Sequence, residues 1–387
     1  MATGGIRIES CELFFLQIPL NFGFSHGAKA NRKFSDSVIV RLRSADKNGY
    51  GEAVVRDYVS GAREAGVDFT TEAAATVSRL LAPLEGRLLS WSDVDSHLSN
   101  LACASRELPF LCAVETALLD LACAWNAADV FTVLGCEPRR ETVRYGGVLP
   151  LLPLQEAEKY LLFCRQLGLG DIKVKLNADV ELDQAILDLS RRILGERFDI
   201  RVDANSSWPV DDAERFFEVC RRHGVETIEQ PFNDSAPGAS GRMREARAEG
   251  FTIMADEGAL SARDLRDLAG AGTYSAVNLR LAKNGGLTRV LQLSEEARRC
   301  GMSYQLGCMV GETGILSGLG RIAAALLPAP LHVEGSYDDV LLAENITTRS
   351  MGFGANGRAP VIRAGGMGYQ VSQEALERFS AARASCL

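Results

Sequence analysis

From residue 142 onward the chain alternates short β-rich runs with amphipathic helical segments. The runs are "VRYGG", "DIKVKL", "FDIRVDAN", "VETIEQP", "FTIMADE", "SAVNLRL", "MSYQLG" and "LHVE". Between them lie segments such as "LDQAILDLSRRIL", "PVDDAERFFEVCRRHG" and "LTRVLQLSEEARRCG". Strands joined through helical crossovers run parallel, and about eight such units close into a (β/α) barrel. The residues ahead of this pattern read as a separate α+β layer. Residues 1–60 suggest a strand meander, with "SDSVIVRLRSADKNGYGEAVV" as a hairpin turning at Asp46–Gly49. Residues 70–135 turn helical, and "FLCAVETALLDLACAWNA" sets apolar residues at i, i+3, i+4 and i+7. The expected division is a cap at 1–140, a barrel at 141–335 and a C-terminal segment at 336–387 that packs back on the cap.

Barrel chemistry collects at the C-terminal ends of the strands. Here those ends carry Lys173 and Lys175, Asp203 and Asn205, Glu229, Asp256 and Glu257, then Asn278 and Arg280. Lys175, Asp203, Glu229 and Asp256 follow one another at steps of 28, 26 and 27 residues, one βα unit per step. Successive charged groups therefore stand on adjacent strands around one rim. Asp203, Glu229 and Asp256 offer hard oxygen donors from three strands, the usual way of holding Mg²⁺, with Mn²⁺ as a substitute. Carboxylates crowded at a dry rim repel one another and need a cation. A lysine of "KVK" beside that ion has its ammonium destabilised and its pKa lowered toward a useful base. The ion would also stabilise an enediolate formed by removing a proton alpha to a carboxylate. Each stretch alone is ordinary; the ordered set at unit spacing is not.

Composition narrows the partners. A net charge of −8 and a pI near 5.3 argue against nucleic acid or an anionic membrane. No apolar run reads as approaching the roughly 20 residues of a membrane span. The start, "MATGGIRIESCELFFLQIPL", lacks the basic-then-apolar pattern of a signal peptide. Ten cysteines are scattered without a C-x-x-C pair, which removes a zinc reading and fits reduced thiols in a cytoplasmic protein. Four histidines leave little for a Ser-His-Asp or His-zinc mechanism. The expected partner is a small-molecule carboxylate.

The stretches "IKVKLN", "RVDANSSW", "IEQPF", "MADEG", "NLRLAKNGGL" and "GCMVGETG" resemble the enolase superfamily in its muconate-lactonizing-enzyme-like branch, over nearly the whole chain. The resemblance implies an α/β fold, a modified (β/α)7β TIM-like barrel with an N-terminal α+β capping domain. It implies Asp203, Glu229 and Asp256 as Mg²⁺ ligands and Lys175 as the proton-abstracting base. Lys173 would lower the pKa of Lys175 or contact the substrate carboxylate, and Asn205 and Glu257 would steady the ligands from behind. Barrels of this branch are often homo-oligomers. "IPLNFGFSHG" and "YGEAVVRDYVSG" resemble the branch's capping loops. The substrate is then chosen by residues 20–30 and 55–64 and by the last two strand ends. Candidate substrate contacts are Phe24, Tyr58, Asn278, Glu312, Glu334, Ser336 and Asp338. Phe22, Phe24, Tyr58 and Val59 suggest an apolar portion on the substrate, while Glu312 also reads as a carboxylate at a helix N-terminus.

Two features depart from the branch. Its sixth strand ends in a second lysine, and two lysines on opposite faces of a substrate can exchange a proton from either side. Here Ala276, Asn278, Arg280 and Ala282 share one strand face, while Val277, Leu279 and Leu281 share the other. Arg280 thus faces the barrel, at the lysine position before Gly285–Gly286. Lys283 has the leucine parity and lies beyond the strand, so it reads as a turn cation. Arginine is effectively never a base, but it can hold a carboxylate or a developing anion. That favours one-base elimination or cycloisomerisation with Lys175, over epimerisation of a dipeptide or N-acyl amino acid using Lys283. The second departure is Ser336-x-Asp338, where dipeptide epimerases carry Asp-x-Asp. A non-catalytic barrel is the third reading, opposed by the intact Lys175 and carboxylates.

Overall fold

The computed structural model describes residues 5–24, 32–60, 68–363 and 365–387. Ser10–Leu16 (β1), Val38–Ser44 (β2) and Lys47–Ala53 (β3) form an antiparallel sheet in the cap. The β2–β3 hairpin turns at Ala45–Asp46 rather than reaching Gly49, with Ala45 left-handed at φ 50° and Ser44 paired to Lys47. Gly49 falls inside β3 because the strand needs it there. A Cβ on Gly49 would sit 2.1 Å from the Ala117 carbonyl oxygen, and one on Gly51 1.8 Å from that of Ala113. The bare strand lets helix Leu108–Asn126 (α1) lie on it at backbone contact.

That helix starts with Pro109 in its first turn, where no N–H is missed, and stops at Ala127, left-handed at φ 48°. It buries Leu111, Val114, Leu118 and Leu121, each worth roughly 1.5–3 kcal/mol. Ser105–Asn126 is long and apolar enough to cross a membrane by length and composition, contrary to the expectation that no run comes near that size. Its most apolar window is 83% buried inside the molecule. A helix apolar all round is what a core between two layers requires.

The barrel sheet is parallel and runs in strict sequence order. Its strands are Gly147–Leu149 (β4), Asp171–Lys175 (β5), Asp199–Asp203 (β6), Thr227–Glu229 (β7), Thr252–Ala255 (β8), Ala276–Arg280 (β9) and Ser303–Gly307 (β10). "LHVE" is not an eighth ladder but a single extended bridge joining the two edges. Leu306 N donates to His332 O at 3.0 Å, and Gly146 N to Val333 O at 3.0 Å. "VRYGG" splits: Thr142–Arg144 pairs antiparallel with Arg358–Pro360, and only Gly147 onward enters the barrel. Ser380–Ser385 (β11) returns to the cap and pairs antiparallel with β1.

Two buried glutamates fasten the cap to barrel helices. Glu115 of α1 accepts from Leu287 N and from Thr288 N (3.0 Å), at the start of Leu287–Arg299 (α2). Gly286, at φ 112°, admits it, since a Cβ there would lie 2.0 Å from Glu115 Oε2. Glu52 of β3 accepts from Thr313 N (2.9 Å), Thr313 Oγ1 (2.7 Å) and Leu316 N (3.2 Å), at the start of Gly314–Leu326 (α3). Both carboxylates satisfy otherwise orphaned helix N–H groups and meet the positive end of the helix dipole.

Candidate functional site

Strand register builds the site. Lys175 lies opposite Asp203 across β5–β6, and Asp203 opposite Glu229 across β6–β7. Glu229 pairs with Met254 on β8, and Asp256 follows two residues on, on the same face. One row at the barrel mouth therefore carries a lysine and three carboxylates, all buried.

Each carboxylate is held by a cation. Lys173 Nζ lies 3.0 Å from Glu229 Oε2, 3.0 Å from Glu334 Oε2 and 3.7 Å from Asp203 Oδ2. Burial works against its ammonium, but Glu229, Glu334 and Asp203 outweigh this and raise its pKa. Lys175 Nζ donates to Asn205 Oδ1 at 2.8 Å and stands 3.5 Å from Asp203 Oδ2. Asn205 takes the left-handed φ of 46° that asparagine tolerates, and its backbone N–H donates to Asp203 Oδ1 at 3.0 Å. Glu229 Oε1 accepts from Asn278 Nδ2 at 2.7 Å, and Gln305 Nε2 reaches Oε2 at 3.2 Å. Arg280 Nη2 contacts Asp256 Oδ2 and lies 3.5 Å from Glu229 Oε1. Burial opposes charge on Asp256, yet Arg280 and Lys283 hold its pKa down at about 2.

Lys283 corrects the sequence reading. It is no exposed turn cation: its side chain is 0% exposed. Its Nζ donates to Asp256 O (2.6 Å), Asp256 Oδ1 (3.0 Å) and Asn278 O (2.5 Å). Strand parity ends at Arg280, where the chain enters one helical turn, Leu281–Asn284. That turn rotates Lys283 back under the rim. All three of its N–H donors are spent on this scaffold.

The remaining candidates fall into two groups. Tyr58, Glu312, Ser336 and Asp338 line a cavity of about 440 Å³ together with Lys173, Lys175 and Arg280. Val148, Leu152, Tyr160, Val310 and Leu341 make its wall largely apolar. Several of these polar groups are already engaged. Glu312 Oε1 accepts from Met309 N at 2.6 Å, and burial raises its carboxyl to about 8. Asp338 accepts from Ser317 Oγ and Asn345 Nδ2, both at 2.6 Å, and burial raises it to about 6. Ser336 Oγ accepts from Arg321 at 3.3 Å. Glu334 also touches the cavity, but Arg201 (2.8 Å) and Lys173 hold it. Glu257 is adjacent to Asp256, and burial followed by the Asp256 charge raises it to about 8. Phe24 ends a short strand opposite Arg32; its side chain, like residues 25–31 and 61–67 of the capping loops, lies outside the described residues.

Sequence reasoning passed over Arg201 and Gln305. Arg201 shares the face of Asp203, two residues away, so parity alone could have found it. It also passed over Glu52 and Glu115, whose partners are distant in the chain.

The residues can be tested against a divalent cation. Among the described residues no three acidic, cysteine or histidine side chains converge in an arrangement that holds a metal ion. Arg280 and Lys283 occupy both oxygens of Asp256. Yet, among the described residues, Asp203 Oδ2 and Glu257 Oε2 are buried with no hydrogen-bond donor. The donor set is all hard oxygen from adjacent strand ends. It fits such an ion once Arg280 moves off Asp256.

A curled parallel sheet of seven strands, capped by an α+β layer and carrying lysines and carboxylates on one rim, defines the class. Residues 155–375, more than half the chain, match the family described as "Enolase C-terminal domain-like". The chain belongs to the enolase superfamily, in the mandelate racemase and muconate lactonizing enzyme branch. It is 27% identical to a hydrophobic dipeptide epimerase of Enterococcus faecalis, covering 76% of this chain and 79% of that one. It is 31% identical to muconate cycloisomerase 1 of Pseudomonas putida, over 49% of this chain and 50% of that one. Its fold superposes on an N-succinyl Arg/Lys racemase of Bacillus cereus with a TM-score of 0.82 at 20% identity, covering 98% and 99% of the two chains. These relatives are enzymes, and they are isomerases rather than lyases.

Proposed function

We propose that this chain removes the proton alpha to the carboxylate of a small organic acid with an apolar portion, using Lys175 as base. The cavity supports this: Lys175 and Arg280 both line it, together with a largely apolar wall. Asp203, Glu229 and Asp256 would hold Mg²⁺, which when bound supplies positive charge beside the developing enediolate. The chain's own residues do the rest. Lys175 takes the proton, and Asn205 orients its ammonium through the 2.8 Å hydrogen bond. Arg280 offers a permanent positive charge to the substrate carboxylate or the developing anion. Tyr58 lines the site from the cap.

The observation that carries the finer reading is Arg280. A guanidinium cannot accept a proton from the second face. With Lys283 spent on Asp256 and Asn278, the geometry supports one-base elimination or cycloisomerisation. The second reading is racemisation or epimerisation of a dipeptide or N-acyl amino acid. The activities of the relatives support it more strongly than the first, and it needs Lys283 to leave its three acceptors.

Solvent deuterium exchange separates the two. Under the one-base reading, Lys175→Ala abolishes exchange at the alpha carbon, while Arg280→Met and Lys283→Ala retain it on one face. Scrambling of both enantiomers in D₂O across a dipeptide and N-acyl amino acid panel, lost in Lys283→Ala, would overturn the one-base reading in favour of the second.

A further inference from the structure

We infer that Arg280 is a built-in stand-in for the metal: it bridges Asp256 and Glu229 until a divalent cation displaces it, which frees its guanidinium for the substrate carboxylate. The inference rests on the reading that these carboxylates hold such a cation.

Nη2 contacts Asp256 Oδ2 and lies 3.5 Å from Glu229 Oε1, so one nitrogen sits between carboxylates of two strands. Arginine cannot shed its charge by losing a proton. Without another cation, the crowded acids are its lowest-energy place. A divalent ion on the same oxygens changes the sign of that environment. Like charges a few ångströms apart in a buried site repel strongly, so the guanidinium must leave.

Only one of the two cations on Asp256 has somewhere to go. Lys283 is wholly buried, with three close oxygen acceptors, and does not line the cavity. Arg280 lines the cavity. Its guanidinium is also poorly satisfied among the described residues: Nε is buried with no acceptor there, and Nη1 has the Met309 sulfur at 3.7 Å. Buried donors left unpaired cost free energy, and a carboxylate in the cavity would satisfy them. The same side chain therefore competes with the metal for Asp256 and Glu229 and, once displaced, serves the substrate. Metal and carboxylate binding become coupled, each favouring the arginine-out state, and such coupling is reciprocal.

The test needs no turnover. Mg²⁺ affinity is measured by calorimetry and by Mg²⁺-dependent rise in Tm, without substrate, for wild type, R280K and R280M. R280M should bind Mg²⁺ about tenfold more tightly, because the competing state is gone. Its metal-free Tm should fall and its Mg²⁺-induced rise should grow, with R280K between the two. Mg²⁺ should also tighten binding of acetate, used as a carboxylate probe, in wild type and not in R280M. If R280M does not fold, R280Q carries the same comparison. Equal Mg²⁺ affinity in wild type and the variant, or no coupling to acetate in wild type, overturns the inference and leaves the proposed function standing. Failure of wild type to bind Mg²⁺ at all overturns the metal reading beneath both.

Discussion

Two sets of buried carboxylates behave in opposite ways. At the seam between cap and barrel, Glu52 and Glu115 accept mainly from backbone N–H groups at helix starts. At the barrel mouth, Glu229 and Asp256 accept from lysine and arginine side chains. Burial raises the pKa in every case. At the seam it prevails, leaving Glu52 raised and Glu115 at about 7. At the mouth burial still prevails for Asp203, but Lys173 overturns it for Glu229, and Arg280 and Lys283 overturn it for Asp256. Backbone donors are fixed in place, so the seam is a rivet. Side-chain cations can be exchanged for another cation, so the mouth is a site. What separates structure from function here is the mobility of the partner, not the burial of the acid.

The comparison can be broken from either side. The largest effect belongs to the mouth. Lys175→Ala should cut alpha-proton exchange by about 10³-fold while leaving the melting temperature almost unchanged. Asp256→Ala strands Arg280 and Lys283 as buried cations and should cost about 3–5 kcal/mol in urea unfolding. Glu52→Ala, at the seam, leaves the Thr313 and Leu316 N–H groups unmet. It should cost about 2–3 kcal/mol without changing Mg²⁺ affinity, and a change in that affinity would dissolve the distinction. The last effect is a slope. Glu115 is raised from an ordinary 4.5 to about 7, so the native state keeps a proton that the unfolded chain has lost. Its contribution to stability is fullest below pH 4.5 and declines as pH rises toward 7. Glu115→Gln cannot ionise and should flatten that decline. Parallel wild-type and variant curves across this window would show that Glu115 is not the cause.

The barrel and its row of charges were legible because each rests on a local rule. Helical crossovers set the parallel sheet, and one charged strand end per βα unit set the row. Parity placed Arg280 and Asn278 on the inner face for the same reason. It failed at Lys283 because the strand stops one residue after Leu279, and a helical turn follows a different period. The hairpin turn was placed too long because Gly49 looked like a turn residue. It is a packing residue, and its partner, Ala117, is remote in the chain. Glu52 and Glu115 were illegible on the same ground: a helix cap supplied by another layer leaves no local spacing to find. The "LHVE" segment has strand-like composition, but it makes one isolated bridge, to Leu306, and a single backbone hydrogen bond from Gly146 on the other side.

The pairing of β11 with β1 has a consequence for how the molecule is made. The cap is encoded first, and its strands and long helix can collapse early. Its sheet still lacks an edge strand until Ser380–Ser385, which follows the barrel in the chain, pairs with β1. Until then the outer side of β1 shows unpaired backbone to its surroundings, an invitation to wrong partners. This strand thus works as a closing seal, and shortening it by a few residues should lower the yield of folded protein before it touches the chemistry at the mouth.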